Sequence, residues 1–478
     1  DVRMNLLYKS TRNSDKTVTA SQAILKGLAD DGGLFVPVSV PKLDVTMDEL
    51  KDMSYQETAY AVMKQFFTDF TEEELKHCIN SAYDSKFDTE VIAPLVKVGD
   101  TYHLELFHGA TIAFKDMALS ILPHLMITSA RKNQVKNDIV ILTATSGDTG
   151  KAALAGFADV PGTKIIVFYP KGGVSHVQEL QMVTQKGENT SVVAIHGNFD
   201  NAQSGVKAIF EDKELAAELD AKGYQFSSAN SINIGRLVPQ VVYYVYAYAK
   251  LLENEEIQAG EEINVTVPTG NFGNILAAYY AKQMGLPVGR LVCASNKNNV
   301  LTDFLRTGTY DARRTFYKTT SPSMDILISS NLERLLYHVS GSSEKVAGWM
   351  QELSATGKYT VDAETLAKIQ QSFAAGYADD ADGAAEIKAR FDGDHYLCDT
   401  HTAVAFRVAE TRRTDAPMVV LSTASPFKFP RDVLTALGGE APASDFAAMA
   451  ALTAETGAEA PASLRELDKL EVRFKTVL

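Results

Sequence analysis

The sequence predicts an α/β protein of two open, mainly parallel α/β domains, with an N-terminal extension domain and a helical insertion. From residue 100 onward, short apolar runs rich in Val, Ile and Leu recur without strict polar alternation, the pattern of strands buried on both faces. Each run breaks into a Gly/Ser/Thr/Asn-rich turn and then an amphipathic stretch, so strand, loop and helix repeat along the chain. The length of 478 residues, at roughly 150 per domain, supplies two or three domains, each large enough for its own core.

Between residues 40 and 90, Thr46-Met47-Asp48-Glu49 and Thr71-Glu72-Glu73-Glu74 each read as a capping box that opens a helix. In such a box the Thr oxygen and the Glu carboxylate satisfy amide donors left over at the first turn. After the second box Leu75, Cys78, Ile79 and Tyr83 share one face at spacings of three and four, which makes Cys78 a core residue. The predicted strands are 102–107, 138–142, 164–169, 191–195, 264–267, 291–294 and 418–421. Residues 342–392 read as helical instead, with Val346, Trp349 and Met350, then Leu366, Ile369 and Phe373, at helical spacing. Residues 438–463, rich in Ala, Gly and Pro, read as a linker into a closing element at Leu464-Arg465-Glu466-Leu467. The chain shows no internal repeat.

Lys and Arg number 46 against 60 Asp and Glu, a formal net charge of −14, and the sequence pI is near 5.2. Such a surface repels nucleic acid and anionic membrane, so neither is expected as a partner. Cys78, Cys293 and Cys398 stand singly, which fits neither a disulfide framework nor a zinc site and predicts reduced thiols. No N-terminal stretch joins a basic region to a long apolar run, and the run 241–249 is far below the ~20 residues of a spanning helix. The expectation is a cytoplasmic protein without a metal, as a monomer or small homo-oligomer.

In open parallel sheets, ligands sit where loops leave the carboxyl ends of strands. Phe107-His108-Gly109-Ala110-Thr111-Ile112-Ala113-Phe114-Lys115-Asp116 follows a strand and opens a helix, with Lys115 between an aromatic ring and an acid. The positive end of the helix dipole and burial would both lower its pKa toward use as a nucleophile or base, although that segment alone also reads as carrying a surface lysine. Thr145-Ser146-Gly147-Asp148-Thr149-Gly150-Lys151-Ala152 superficially suggests a P-loop. Thr145 stands where that motif needs Gly and Ala152 where it needs Ser or Thr, which excludes it. What remains is a set of amides and hydroxyls at a helix N-terminus, suited to a small carboxylate or phosphate, or simply a capped turn.

The glycines of Thr269-Gly270-Asn271-Phe272-Gly273-Asn274 stand three apart and let backbone amides approach an anion. Phe272 blocks a dinucleotide fingerprint, so one phosphate fits better than a pyrophosphate; a turn used only for helix–sheet packing is the alternative. Leu421-Ser422-Thr423-Ala424-Ser425-Pro426 offers hydroxyls at the end of the last strand. Asn230-Ser231-Ile232-Asn233-Ile234-Gly235-Arg236 offers one arginine among small polar groups, as a phosphate clamp or as half of a surface ion pair.

Together these segments resemble the threonine synthase family, pyridoxal-phosphate enzymes of the tryptophan-synthase β-like fold. The resemblance runs over almost the whole chain. It begins at Asp31-Gly32-Gly33-Leu34-Phe35-Val36-Pro37 and continues through Ala113-Phe114-Lys115-Asp116, Thr145-Ser146-Gly147-Asp148-Thr149-Gly150 and Gly270-Asn271-Phe272-Gly273-Asn274. Pro322-Ser323-Met324-Asp325-Ile326, leading to Ser330-Asn331-Leu332-Glu333-Arg334, resembles the longer microbial and fungal branch. The expected division is an N-terminal domain at 1–96, an α/β domain with the reactive lysine at 97–235, and a larger α/β domain at 236–478. The last would hold the phosphate-binding loop and the insertion at 342–392.

The resemblance implies pyridoxal 5'-phosphate as cofactor, with Lys115 bonded to its aldehyde carbon and later moving protons. Gly270, Asn271, Phe272, Gly273 and Asn274 would cradle the cofactor phosphate, and Thr423 would face the pyridine nitrogen. Asp148 stands where many relatives of the fold have Asn beside the cofactor 3-oxygen; a carboxylate there would share a proton with the phenol or be neutral itself. Thr145, Ser146, Gly147 and Thr149 would hold the substrate α-carboxylate. The implied reaction, a lyase step of threonine biosynthesis, converts O-phospho-L-homoserine and water to L-threonine and phosphate.

Arg236, with Ser231 and Asn233, is the expected clamp for the leaving phosphate, and Lys164, Lys171 and His108 are further available cations. His108 also reads as a proton carrier or as a cap on its own turn. Two readings compete with this one. A hydroxy-amino-acid dehydratase or a cysteine-synthase-like β-replacement enzyme would usually carry Ser where this chain has Ala113, and would lack the N-terminal signature. A binder of phosphorylated ligands without turnover is opposed by the intact Lys115.

Overall fold

The computed structural model describes residues 5–145 and 147–478. The larger sheet has strands in the order Phe373–Tyr377, Val288–Ser295, Ile263–Pro268, Met418–Ser422, Thr101–Glu105 and Leu95–Val98. All pair in parallel except Leu95–Val98, which runs antiparallel at one edge. The smaller sheet is fully parallel, in the order Thr190–Ile195, Thr163–Pro170, Asp138–Ala144 and Tyr224–Ser227. Every apolar run expected to be a strand is one. Ile263–Pro268 and Met418–Ser422 are buried at every position, as strands covered on both faces must be.

The N-terminal domain packs a small antiparallel sheet, Asn13–Val18, Tyr8–Ser10 and Phe35–Pro37, beside helices Ala20–Lys26, Met47–Lys51, Tyr55–Phe66 and Glu72–Ala82. Both expected capping boxes close, with Thr46 exchanging hydrogen bonds with Glu49, and Thr71 with Glu74. Helix Ile234–Glu253 is buried almost all round, which its run of Val, Tyr and Ala permits and which fixes Arg236 in its first turn. Among the described residues no helix is long and apolar enough to cross a membrane. All three cysteines are buried and free.

The structure departs from the sequence reading in several places. Strand Thr101–Glu105, which leads toward Lys115, pairs with Met418–Ser422 in the larger sheet, so the expected domain at 97–235 contains a strand of the sheet expected at 236–478. A strand apolar enough for either sheet carries no local mark of which one it joins. Phe373 is not the end of a helix: Ala363–Ser372 is helical, and Phe373–Tyr377 then forms the edge strand beside Val288–Ser295. Its small residues let helix Thr400–Thr411 come close, for a Cβ on Gly376 would lie 2.9 Å from Val408 Cγ1. The linker expected at 438–463 contains helix Asp445–Thr456, capped by Ser444 and ended by left-handed Gly457. Alanine-rich composition was read as linker although alanine is the strongest helix former.

The topology places the functional loops side by side. Ile263–Pro268, Met418–Ser422 and Thr101–Glu105 are consecutive parallel neighbours, so their carboxyl-end loops emerge together. The loops interlock: Phe114 N–H donates to Thr423 O at 2.8 Å and Ser425 N–H to Ile112 O at 3.0 Å. Between these loops and the carboxyl end of Asp138–Ala144 in the smaller sheet lies a cavity of about 820 Å³.

Candidate active site

Lys115 lies just ahead of the short helix Asp116–Leu119 and lines this cavity. Its loop is closed by Asp116, whose buried carboxylate accepts from Thr111 N–H at 2.8 Å and from Thr111 Oγ1 at 2.6 Å. The Lys115 amine donates to Thr149 Oγ1 at 2.7 Å. Burial lowers its pKa to about 8; Asp148 opposes the fall, and the charges of Arg236 and Lys428 add to it. The lowering inferred from the segment is present, with desolvation as its main cause.

Thr145, Asp148 and Thr149 line the same cavity at the start of helix Asp148–Phe157. Thr145 Oγ1 accepts from Gly147 N–H at 3.0 Å and Gly150 N–H at 2.9 Å, which fixes the turn. Gly147 sits at φ 141, a conformation open to glycine. Ser146 lies outside the described residues. Burial pushes the Asp148 carboxyl up, but Lys428, Lys115 and the Gln178 amide together hold it down to about 2. The neighbouring cations therefore favour the carboxylate form of Asp148.

Gly270, Asn271, Phe272, Gly273 and Asn274 form the opposite wall, at the N-terminus of helix Gly273–Gln283. A Cβ on Gly270 would lie 2.3 Å from the Ser323 carbonyl oxygen, so the turn accepts only glycine. Phe272 adopts a left-handed φ of 71° with its ring buried, which turns the chain into the helix. Asn274 Oδ1 accepts from Tyr243 and Tyr244 hydroxyls at 2.5 and 2.6 Å, while its buried Nδ2 has no partner. Thr423 also lines the cavity.

Arg236, Ser231 and Asn233 complete the lining. Arg236 is buried, its Nη1 donates to Ala229 O at 3.1 Å, and among the described residues its Nε has no partner. Burial lowers its pKa to about 10, still charged at neutral pH. The Asn233 amide is committed to Ile24 O at 3.0 Å and to capping Gly235 N–H at 2.9 Å, so it holds the loop.

The other expected cations stand elsewhere. His108 bonds Asp88 Oδ1 at 2.6 Å and Glu105 Oε1 at 3.0 Å, at the base of the lysine loop and outside the cavity lining. Burial would lower its pKa, but those two acids raise it above the usual value. Lys164 lies over the Tyr224 ring and Lys171 pairs with Glu179 at 3.2 Å. Among the described residues no cluster of three or more His, Cys, Asp or Glu could hold a metal ion.

These features fit a phosphate-bearing aldehyde cofactor. The cavity offers an amine that loses its proton near pH 8, a glycine turn at a helix N-terminus, and unpartnered buried donors on Asn274 and Arg236. Gly270→Ala would force the cradle against Ser323 backbone, so cofactor affinity should fall at least about tenfold with the circular dichroism unchanged. Fluorescence titration of the apoprotein with pyridoxal phosphate checks this, and unaltered affinity would place the phosphate elsewhere.

Comparison with known proteins agrees. The family model described as "Pyridoxal-phosphate dependent enzyme" matches residues 101–421, between "Threonine synthase N terminus" at 7–83 and "Threonine synthase, C-terminal" at 402–478. The threonine synthase of Saccharomyces cerevisiae is 36% identical, covering 91% of this chain and 89% of that one. The chain belongs to the threonine synthase family. The pyridoxal-phosphate-bound threonine synthase structure from Brucella melitensis superposes with a TM-score of 0.89 at 38% identity, over 99% of this chain and 96% of that one. Threonine synthase-like 1 of Pongo abelii is 39% identical over 87% of this chain, which spans only 58% of that relative's length.

Sequence reasoning missed two residues that line this cavity. Lys428 lines the cavity 3.4 Å from Asp148 Oδ1, carried by the 3-10 turn Pro426–Lys428. The signal was a proline-started turn just past a strand's carboxyl end, which sends the chain back across the loop it left. His401 also lines the cavity; Nε2 accepts from Ser323 N–H at 3.1 Å, which leaves Nδ1 to donate to Asp399 at 2.8 Å. Its segment had been left without a site.

Proposed function

We propose that this chain converts O-phospho-L-homoserine and water to L-threonine and phosphate, with pyridoxal phosphate bound in the cavity. Lys115 carries the proposal: a half-buried lysine with its pKa lowered to about 8, its amine 2.7 Å from Thr149, in one cavity with the glycine cradle and the buried Arg236. When bound, pyridoxal phosphate supplies a conjugated ring that accepts electron density from the substrate's carbon skeleton. Gly270, Asn271, Phe272, Gly273 and Asn274 would hold its phosphate, Thr423 its ring nitrogen and Asp148 its 3-oxygen side.

Thr145, Ser146, Gly147 and Thr149 would hold the substrate α-carboxylate, a charge suited to the positive end of helix Asp148–Phe157. Lys115 removes the proton from Cα and then one from Cβ, so that the C–O bond at Cγ breaks and phosphate leaves; protons returned to Cγ and Cα, with water adding OH at Cβ, complete L-threonine. The unpartnered Arg236 Nε and the Ser231 hydroxyl receive the departing phosphate dianion, and Asn233 keeps their loop in place. The acidic balance and the three free, buried cysteines support a reducing, cytoplasmic setting with no nucleic-acid or membrane partner.

With pyridoxal phosphate present, the purified protein is expected to release phosphate and threonine in equal amounts from O-phospho-L-homoserine. Phosphate accompanied by a 2-oxo acid would favour a dehydratase, and release of neither would favour the binder without turnover.

A further inference from the structure

The cavity holds a lysine that the proposed reaction does not use. Lys428 Nζ stands 3.4 Å from Asp148 Oδ1 and donates to Thr111 O at 3.3 Å. Gln178 Nε2, from helix His176–Val183, donates to the same Asp148 oxygen at 3.0 Å. Ammonium and amide thus converge on one oxygen from separate elements, the first from the turn just past the larger sheet's Met418–Ser422, the second from a helix packed against Asp148–Phe157. The side chains of Lys428 and Asp148 are only 10% and 14% exposed, so water screens the pair little.

We propose that Lys428 is a positioning residue of the reaction: its ammonium is the standing counter-charge of Asp148, and the two act on Lys115 as one net-neutral unit. This inference rests on the reading of the cavity given above. A buried carboxylate with no counter-charge takes up a proton, and a buried ammonium with none loses one. The groups facing Asp148 are Lys428, Lys115, Gln178 and His401; those facing Lys115 are Asp148, Arg236 and Lys428; Asp116 and Lys151 also face Lys428. Removing either member of the pair leaves the other's charge acting alone on Lys115. Removing both restores neutrality, with an amide in place of the carboxylate.

The test uses Lys428→Met, Asp148→Asn and the double variant, each loaded with pyridoxal phosphate. It reads kcat, KM and the pH midpoint of the bound cofactor's visible absorbance change. Lys428→Met should lower kcat about 100-fold with little change in KM, and should move the midpoint by about one pH unit. The double variant should regain at least about tenfold in kcat and return the midpoint toward the wild-type value, the non-additivity of a coupled pair. Wild-type kcat and midpoint in Lys428→Met, or a double variant no better than that single one, would overturn the proposal. If Lys428→Met does not fold, Lys428→Arg, which keeps the charge, must keep kcat within about tenfold, and a larger loss there would also overturn it. Should the wild type release neither threonine nor phosphate, the proposed reaction fails while the absorbance midpoints still decide the pairing.

Discussion

Lys115→Ala is expected to abolish turnover, by at least about a thousandfold in kcat, while leaving the fold intact. The loss combines the bond to the cofactor with the proton transfers at Cα and Cβ, and Lys428, another amine lining the cavity, is held by Asp148 and Thr111 O. The fold survives because the Lys115 side chain makes one hydrogen bond, to Thr149, and burial disfavours its charge. A lysine whose pKa falls from 10.5 to about 8 on folding makes the folded state release its proton first, so this group favours folding more as pH rises through that interval. Below about pH 8 both states carry the proton, and the burial cost is felt in full. The apo Lys115→Ala variant should therefore melt no lower than wild type at pH 7, with the comparison shifting toward wild type as pH climbs past 8. Thermal melts at pH 7 and pH 10 check this, and a variant that melts lower at pH 7 would assign Lys115 a structural role.

Arg236→Ala should lower kcat/KM for O-phospho-L-homoserine about 100-fold, the value of one or two charge-assisted hydrogen bonds to a dianion. Among the described residues the buried guanidinium bonds Ala229 O and its Nε has no partner, the feature that marks it for a ligand. Cofactor affinity should stay within about threefold, because the cradle at Gly270–Asn274 lies on other elements. Inhibition by inorganic phosphate should weaken in parallel. Normal kinetics would move the phosphate site toward Lys428.

The parallel strands and the glycine loops were legible because buried strands write themselves as unbroken Val/Ile/Leu runs and anion turns require glycine at fixed spacing. Local marks singled out the lysine, the glycine turn and Arg236 as candidates, and the roles expected of them came from the resemblance. Lys428 and His401 were not, because their place in the cavity depends on where a turn and a helix cap land in space. The pairing of Asp148 was equally hidden: its local sequence names a carboxylate, and the ammonium 3.4 Å from it is 280 residues further on. The same distance problem explains the edge strand at Phe373, whose partner Val288–Ser295 lies far back in the chain. His108 shows the converse, a residue close to Lys115 in sequence that is turned away to bind Asp88 and Glu105.

The central claim is that the cavity is a cofactor site built on Lys115, and the direct measurement is where the cofactor is attached. The protein is loaded with pyridoxal phosphate, reduced with borohydride to make the lysine–cofactor bond permanent, digested and mapped by mass spectrometry. The account predicts the added mass on the peptide containing Lys115 and on no other. Attachment at Lys428 or Lys151, or no attachment at all, would contradict it.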